Sequence, residues 1–195
     1  SRETLGRLPE LTGVMKGEGE KTFAKLCKVY GERSEISELS LEQIDGITFR
    51  CPDGTICERP WRVPMDLSEV PFVYHDMKKF ENKIIYYETS RGCPFSCSYC
   101  LSSIDKRLRF RSLDLVFNEL QFFLDHKVPQ VKFVDRTFNC KHDHAMAIWK
   151  YIQEHDNGIT NFHFEVAADL LNDEEIRLIR QMRPGLIQLE IGVQS

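Results

Sequence analysis

Lys83-Ile84-Ile85-Tyr86-Tyr87-Glu88, followed by Thr89-Ser90-Arg91-Gly92-Cys93-Pro94-Phe95-Ser96-Cys97-Ser98-Tyr99-Cys100, decides how the chain is read. The first six residues form a short apolar run with the length and aromatic, β-branched character of a strand. The residues after it place Cys93, Cys97 and Cys100 within eight positions, directly beyond that strand, where the active-site loops of parallel sheets lie. Three thiolates this close suit an iron-sulfur cluster. The [4Fe-4S] form usually takes four cysteines, so one iron would lack a protein ligand and stay open to a small molecule. The competing reading is a structural zinc site completed by His75, His126, His142 or His144, but no Cys or His follows at finger spacing.

Downstream, the pattern is regular. Ser112 is placed to cap a helix on which Leu113, Val116, Phe117, Leu120, Phe123 and Leu124 share one face. A strand is expected at Val131 to Asp135, a helix at about 142 to 155, and a strand at Phe162 to Ala167. A further helix over 173 to 183 opens at Asn172 with acidic residues in its first turn and closes at Pro184-Gly185. Leu186 to Ile191 is the fourth strand. Strands alternating with helices of ten or more residues imply an α/β fold, a parallel sheet built from right-handed crossovers. The sequence stops four residues after the fourth strand, so the sheet is expected to be cut off.

Upstream, residues 18 to 30 set Phe23, Leu26, Cys27 and Tyr30 at helical spacing, an amphipathic helix in need of a partner. Gly46 to Glu58 reads as two short strands turned at Pro52-Asp53-Gly54. Arg59-Pro60-Trp61-Arg62-Val63-Pro64 and Pro71 continue neither helix nor central strand, so 31 to 80 is expected to be a linker. The 195 residues are 42% hydrophobic and 29% charged, which opposes disorder and fibrous repeats. No apolar run approaches the roughly 18 residues of a membrane span. The first residues lack both an apolar signal and a starting Met, and are read as the edge of an excised fragment. Seven cysteines without a secretory signal point to thiols in a reducing, cytoplasmic compartment. The net charge of -4 opposes a broad nucleic-acid surface.

The spacing Cys93-x3-Cys97-x2-Cys100, with Tyr99 before the last cysteine, resembles the radical S-adenosylmethionine (radical SAM) enzymes. The resemblance implies a partial (β/α) barrel over 81 to 195, truncated after about four strands. It makes Cys93, Cys97 and Cys100 the ligands of a [4Fe-4S] cluster whose open iron chelates S-adenosylmethionine, and sets Tyr99 beside the adenine. Asp135, in Phe133-Val134-Asp135-Arg136-Thr137-Phe138-Asn139, stands where the family has Gly-Gly-Glu. Without those glycines it remains a candidate acceptor for the methionyl amino group, with Thr137 a weaker one. Glu165 is placed to hold polar groups of the cofactor. Glu190-Ile191-Gly192-Val193-Gln194-Ser195 resembles the Gly-Val-Gln-Ser motif of the coproporphyrinogen-oxidase-like and cobalamin-dependent branches. There Glu190, Gly192 and Gln194 would line the cofactor, Gly192 by admitting backbone and Gln194 by offering donor and acceptor. The competing readings are core packing for Tyr99, a solvated acid for Asp135, a structural ion pair for Glu165 and a plain turn after the fourth strand.

Val14-Met15-Lys16-Gly17-Glu18-Gly19-Glu20 and the helix after it look like the end of a cobalamin-binding domain, so residues 1 to 30 are assigned to its C-terminal remnant. The lower-ligand motif Asp-x-His-x-x-Gly is not in the sequence. The implied reaction is one-electron cleavage of S-adenosylmethionine to a 5′-deoxyadenosyl radical, fed by a donor such as flavodoxin or ferredoxin. Methyl transfer or oxidative ring cyclisation on a small molecule would follow. The alternatives are a tRNA methylthiotransferase-like enzyme and a non-catalytic electron-transfer or zinc module. Cys27, Cys51, Cys57 and Cys140, which do not share the loop, are expected not to be cluster ligands.

Overall fold

The computed structural model describes residues 1–32 and 41–192, which divide into two compact units, Ser1–Met65 and the chain from Asp66 onward. In the first unit, helix α1 (Arg2–Arg7) precedes strand β1 (Gly13–Met15), helix α2 (Glu20–Glu32) and strands β2 (Ile47–Arg50) and β3 (Ile56–Glu58). The strands form an antiparallel sheet in the order β1-β2-β3. The β2-β3 turn is held by Asp53, which accepts from the Thr55 amide at 2.8 Å and its hydroxyl at 2.7 Å, and by Gly54 at φ +86°. Ile44, Ile47, Phe49 and Cys51 make a small core with Leu26 and Val29 of α2. Of the expected stripe on α2 only Leu26 packs there: Phe23, Cys27 and Tyr30 are exposed and line an open groove of about 720 Å³ with Met15.

The stretch expected as a linker is built into both units. Residues 41–58 close the first sheet, and Leu67, Phe72 and Tyr74 pack in the second unit. Prolines remove periodicity without removing apolar side chains, so these residues bury in irregular backbone that pattern reading takes for a connector.

The second unit contains a parallel sheet in sequence order, β4 (Ile85–Tyr87), β7 (Gln130–Phe133), β8 (Asn161–Val166) and β9 (Ile187–Ile191). Between β4 and β7 come a two-stranded antiparallel ribbon, β5 (Ser90–Arg91) with β6 (Arg109–Phe110), and helix α3 (Leu113–Asp125). Helices α4 (His142–Glu154) and α5 (Asp173–Gln181) make the later crossovers. The α/β class and the open, strand-by-strand sheet agree with the expectation. The Ser112 hydroxyl caps α3, and Asn172 with Glu175 forms a full capping box at α5. Alternation gives the sheet two faces. Ile85, Tyr87, Val131, Phe133, Phe162, Phe164 and Val166 are buried, with Phe138 and Trp149 packed on Phe164. Tyr86, Lys132, His163, Glu165 and Glu190 lie on the opposite face. Among the described residues, no helix is long and apolar enough to cross a membrane.

One polar contact inside this core anchors α3. Arg111 and Glu119, both almost fully buried, pair at 2.5 Å, and the Tyr87 hydroxyl donates to Glu119 at 2.5 Å. The Arg111 guanidinium also donates to the Leu67 and Val70 carbonyls at 3.0 Å, fastening the entry segment to the helix. Burial, reinforced by Glu119, pushes the Tyr87 phenol above its ordinary range. Glu119→Ala leaves a buried guanidinium without its carboxylate and should cost about 3–5 kcal/mol. Glu119→Gln, which keeps an acceptor, should cost clearly less. Urea unfolding of the two variants checks the order, and an equal loss would refute it.

Candidate functional site

The cysteine loop is rooted before it begins. The β5-β6 ribbon pairs Ser90 with Phe110 and Arg91 with Arg109, and the Arg111 amide donates to the Thr89 carbonyl at 2.8 Å. Just inside the ribbon, the Cys93 amide donates to the Asp105 carbonyl at 3.0 Å. Gly92 makes the pinch possible: it sits at φ +99°, and a Cβ there would meet the Arg107 carbonyl oxygen at 2.2 Å. A seventeen-residue excursion, 92–108, therefore leaves and returns through one narrow base.

On that loop Cys93 is buried, with its sulfur 3.7 Å from the Thr137 hydroxyl, Cys100 is half-buried and Cys97 is exposed. The Cys100 amide donates to the Cys97 carbonyl at 3.2 Å, a turn that folds the last two cysteines back toward each other. The donor set fits a cluster in chemistry and placement: three soft thiols share a loop at the carboxyl edge of a parallel sheet. Among the described residues, however, no three Cys, His, Asp or Glu side chains are already gathered at metal-binding distance. The histidines considered for zinc are engaged elsewhere. His126 lies 2.8 Å from the Phe122 carbonyl, His142 is 2.9 Å from Glu175, His144 is 3.3 Å from the Thr89 hydroxyl, and His75 packs edge-on to Phe72. Tyr99 is 70% exposed, so core packing does not explain it.

Asp135, just beyond β7, is fully buried and not a solvated loop acid. Its oxygens accept from the Thr89 amide at 3.0 Å, the Thr89 hydroxyl at 2.7 Å and the Ser90 hydroxyl at 2.5 Å. Burial pushes its carboxyl up to about 6, against the opposing pull of these donors. His144 on α4 is carried down to about 4 by burial and by the nearby Lys141. With the Thr89 hydroxyl donating to Asp135, the neutral His144 ring must donate through Nε2, a tautomer assigned from the network. Cys140, close to Asp135 and Cys93, has its thiol raised mainly by burial and further by both neighbours. Sequence spacing had set Cys140 apart from the loop.

Glu165 and Glu190 stand on the polar face of the sheet, opposite each other in the β8-β9 register. Two residues missed in the sequence join them. The Lys132 ammonium lies 2.9 Å from Glu190 and 3.9 Å from Glu165, and His163 Nε2 is 3.1 Å from Glu190. The Lys132 hydrogen bond holds Glu190 below the usual carboxylate range, and Glu190 in turn raises Lys132. Alternation in Phe162-His163-Phe164-Glu165 could have put His163 with Glu165; only the strand register adds Lys132. Gly192 is exposed at the end of β9, and Gln194 lies outside the described residues.

A family model, the radical SAM superfamily, matches residues 87–195. Among curated proteins, the chain is 29% identical over 191 residues to an uncharacterized methyltransferase of Pyrococcus horikoshii, covering 93% of this chain and 40% of that protein. It is 21% identical over 206 residues to the anaerobic magnesium-protoporphyrin IX monomethyl ester cyclase of Rubrivivax gelatinosus, covering 99% and 36%. The chain thus spans less than half the length of these relatives. Among solved structures, it superposes with a TM-score of 0.72 on the cobalamin-dependent S-adenosylmethionine radical enzyme OxsB, at 21% identity, covering 99% of this chain and 29% of that one. The radical S-adenosylmethionine methyltransferase TsrM from Kitasatospora setae gives a TM-score of 0.70 at 17% identity, covering 97% and 38%. The structures share the fold; the family match, which spans more than half of the chain and begins at the end of β4, places this chain in the radical SAM superfamily.

Proposed function

We propose that the chain carries the cluster loop and first four strands of a radical SAM enzyme that performs methyl transfer or oxidative cyclisation on a small molecule. The observation that carries this reading is the single loop bearing Cys93, Cys97 and Cys100, pinched at Gly92 and rooted on buried Asp135. In this reading the three cysteines hold a [4Fe-4S] cluster and leave one iron to S-adenosylmethionine. When bound, the cluster supplies the electron that cleaves the sulfonium carbon-sulfur bond to give the 5′-deoxyadenosyl radical. The protein's own part is placement and exclusion of water. Tyr99 offers an exposed ring for the adenine, Glu165 and Glu190 on the polar face of the sheet and Gly192 just after β9 are assigned to the cofactor, and Gln194 is assigned to it from the sequence alone. Asp135 is a positioning residue, since its oxygens accept from Thr89 and Ser90 and hold the start of the loop. A donor of the flavodoxin or ferredoxin kind supplies the electron. Residues 1–30 are assigned to the C-terminal remnant of a cobalamin-binding domain, in keeping with the cobalamin bound in the OxsB structure.

Anaerobic reconstitution of the full-length protein tests this directly. It should give absorbance near 400 nm and, with reductant and S-adenosylmethionine, 5′-deoxyadenosine. A colourless protein with stoichiometric zinc would overturn the assignment. Replacing Cys93, Cys97 or Cys100 with Ala should deplete iron severely, because the nearby serines offer only harder oxygens. Glu165→Ala or Gln194→Ala should instead retain iron and sulfide while weakening S-adenosylmethionine binding, read as a loss of the cofactor-induced change in the electron paramagnetic resonance spectrum.

Asp135 gives a pH signature. Its carboxyl is raised to about 6 when folded and titrates near 3.8 when unfolded, so between these values the native state binds the extra proton. The group's contribution is therefore least favourable above about pH 6 and improves as pH falls toward 4. Carbon-detected NMR should place the Asp135 midpoint near 6, and Asp135→Asn should flatten this part of the stability profile. An Asp135 midpoint below 4 would contradict the burial described here.

A further inference from the structure

The first unit holds a pair of cysteines that the proposed reaction does not use. Cys51 follows the last residue of β2 and Cys57 is central in β3. Phe49 pairs with Cys57 across the ladder, so Cys51 is the diagonal neighbour of Cys57 on the same face. The turn between them is fixed by the Cys51 amide donating to the Thr55 carbonyl at 2.8 Å and the Gly54 amide donating to the Cys51 carbonyl at 2.9 Å. Their sulfurs stand 2.8 Å apart, nearer than ordinary nonbonded contacts of about 3.5–4.0 Å between carbons. Cys51 is buried, whereas Cys57 is half-buried and more open to a reagent. Among the described residues, no further Cys, His, Asp or Glu completes a metal-holding group around them.

We propose that Cys51 and Cys57 form a redox dithiol, a modification site that takes a small-molecule disulfide as its substrate. The Cys57 thiolate attacks one sulfur of the reagent, whose sulfur-sulfur bond breaks, and the first leaving thiolate takes a proton from water. Cys51 then attacks the Cys57 sulfur of the mixed disulfide, its proton passing to the second leaving thiolate. Two protein thiols have lost two electrons and become one disulfide, and the reagent has become two thiols. The product ties β2 to β3 across a turn whose hydrogen bonds already hold it.

The test uses the reduced full-length protein, kept anaerobic and exposed without denaturant to oxidised glutathione. Remaining thiols are then alkylated and each cysteine is mapped by mass spectrometry. A Cys51-Cys57 disulfide, about 2 Da lighter than the reduced peptide pair, should be the first product. Cys51→Ser should arrest the reaction at a glutathione adduct on Cys57. Resolution of the mixed disulfide in the wild type should be at least about tenfold faster in native protein than in concentrated urea, because the fold holds the second sulfur in place. Three results would overturn the proposal: alkylation of both cysteines while Cys27 is oxidised, a lasting glutathione adduct on Cys57 in the wild type, or equal resolution rates in buffer and urea. None of these readouts depends on a cluster or on catalytic turnover.

Discussion

The buried carboxylate of Asp135 is the point from which the cysteine loop is organised. It lies beyond the end of β7, yet it accepts three hydrogen bonds from Thr89 and Ser90, more than forty residues earlier, where the chain passes from β4 into β5. A carboxylate suits this position because three donors converge on it and two oxygens, each with two lone pairs, can meet them all. An amide would present a donor where one of these donors already points. The cost is desolvation, visible in the raised carboxyl, and the charged hydrogen bonds offset part of it. Through the Thr89 hydroxyl the same network reaches His144 on α4. The start of the loop is thus tied to one strand and one helix of the sheet-helix core before Gly92 lets the chain turn sharply away.

A second buried charge, Glu119, does corresponding work through Tyr87 of β4. Paired with Arg111 and accepting from Tyr87, it lets the β6-α3 junction and the irregular entry segment share one polar anchor inside an otherwise apolar interface. Such a pair adds little net stability over an apolar filling, but losing one partner is costly. It therefore acts mainly to fix where α3 begins, and with it the return path of the loop.

The parts legible in the sequence are those governed by local periodicity and spacing. The four strands of the parallel sheet, the caps at Ser112 and Asn172, the Asp53-Gly54 turn and the three clustered cysteines follow from runs of fewer than twenty residues. What escaped depends on distant pairing. Asp135 stood out as polar after an apolar run, but nothing local reveals that Thr89 and Ser90 consume its acceptors. Glu119 falls on a helix whose apolar pattern counts it as an interruption, because its partner comes from outside the helix. Lys132 joins Glu165 and Glu190 only through the register of three strands. The region rich in proline lost its periodic signal while keeping residues such as Leu67 and Tyr74 that the core requires.

The polar face of the sheet connects this architecture to the proposed chemistry. Lys132 lies between two carboxylates, so one ammonium serves both Glu165 and Glu190. Because Lys132 sits closer to Glu190, Glu165 keeps more of its acceptor capacity for an incoming group. A methionyl ammonium and a sulfonium are both cations, and a partly exposed face with surplus acceptors attracts them without burying an uncompensated charge in the empty protein. Under the proposed function Lys132 has a use beyond structure: by holding Glu190 it lowers the mutual repulsion of two acids brought opposite each other in register, and so would let both face the same small molecule.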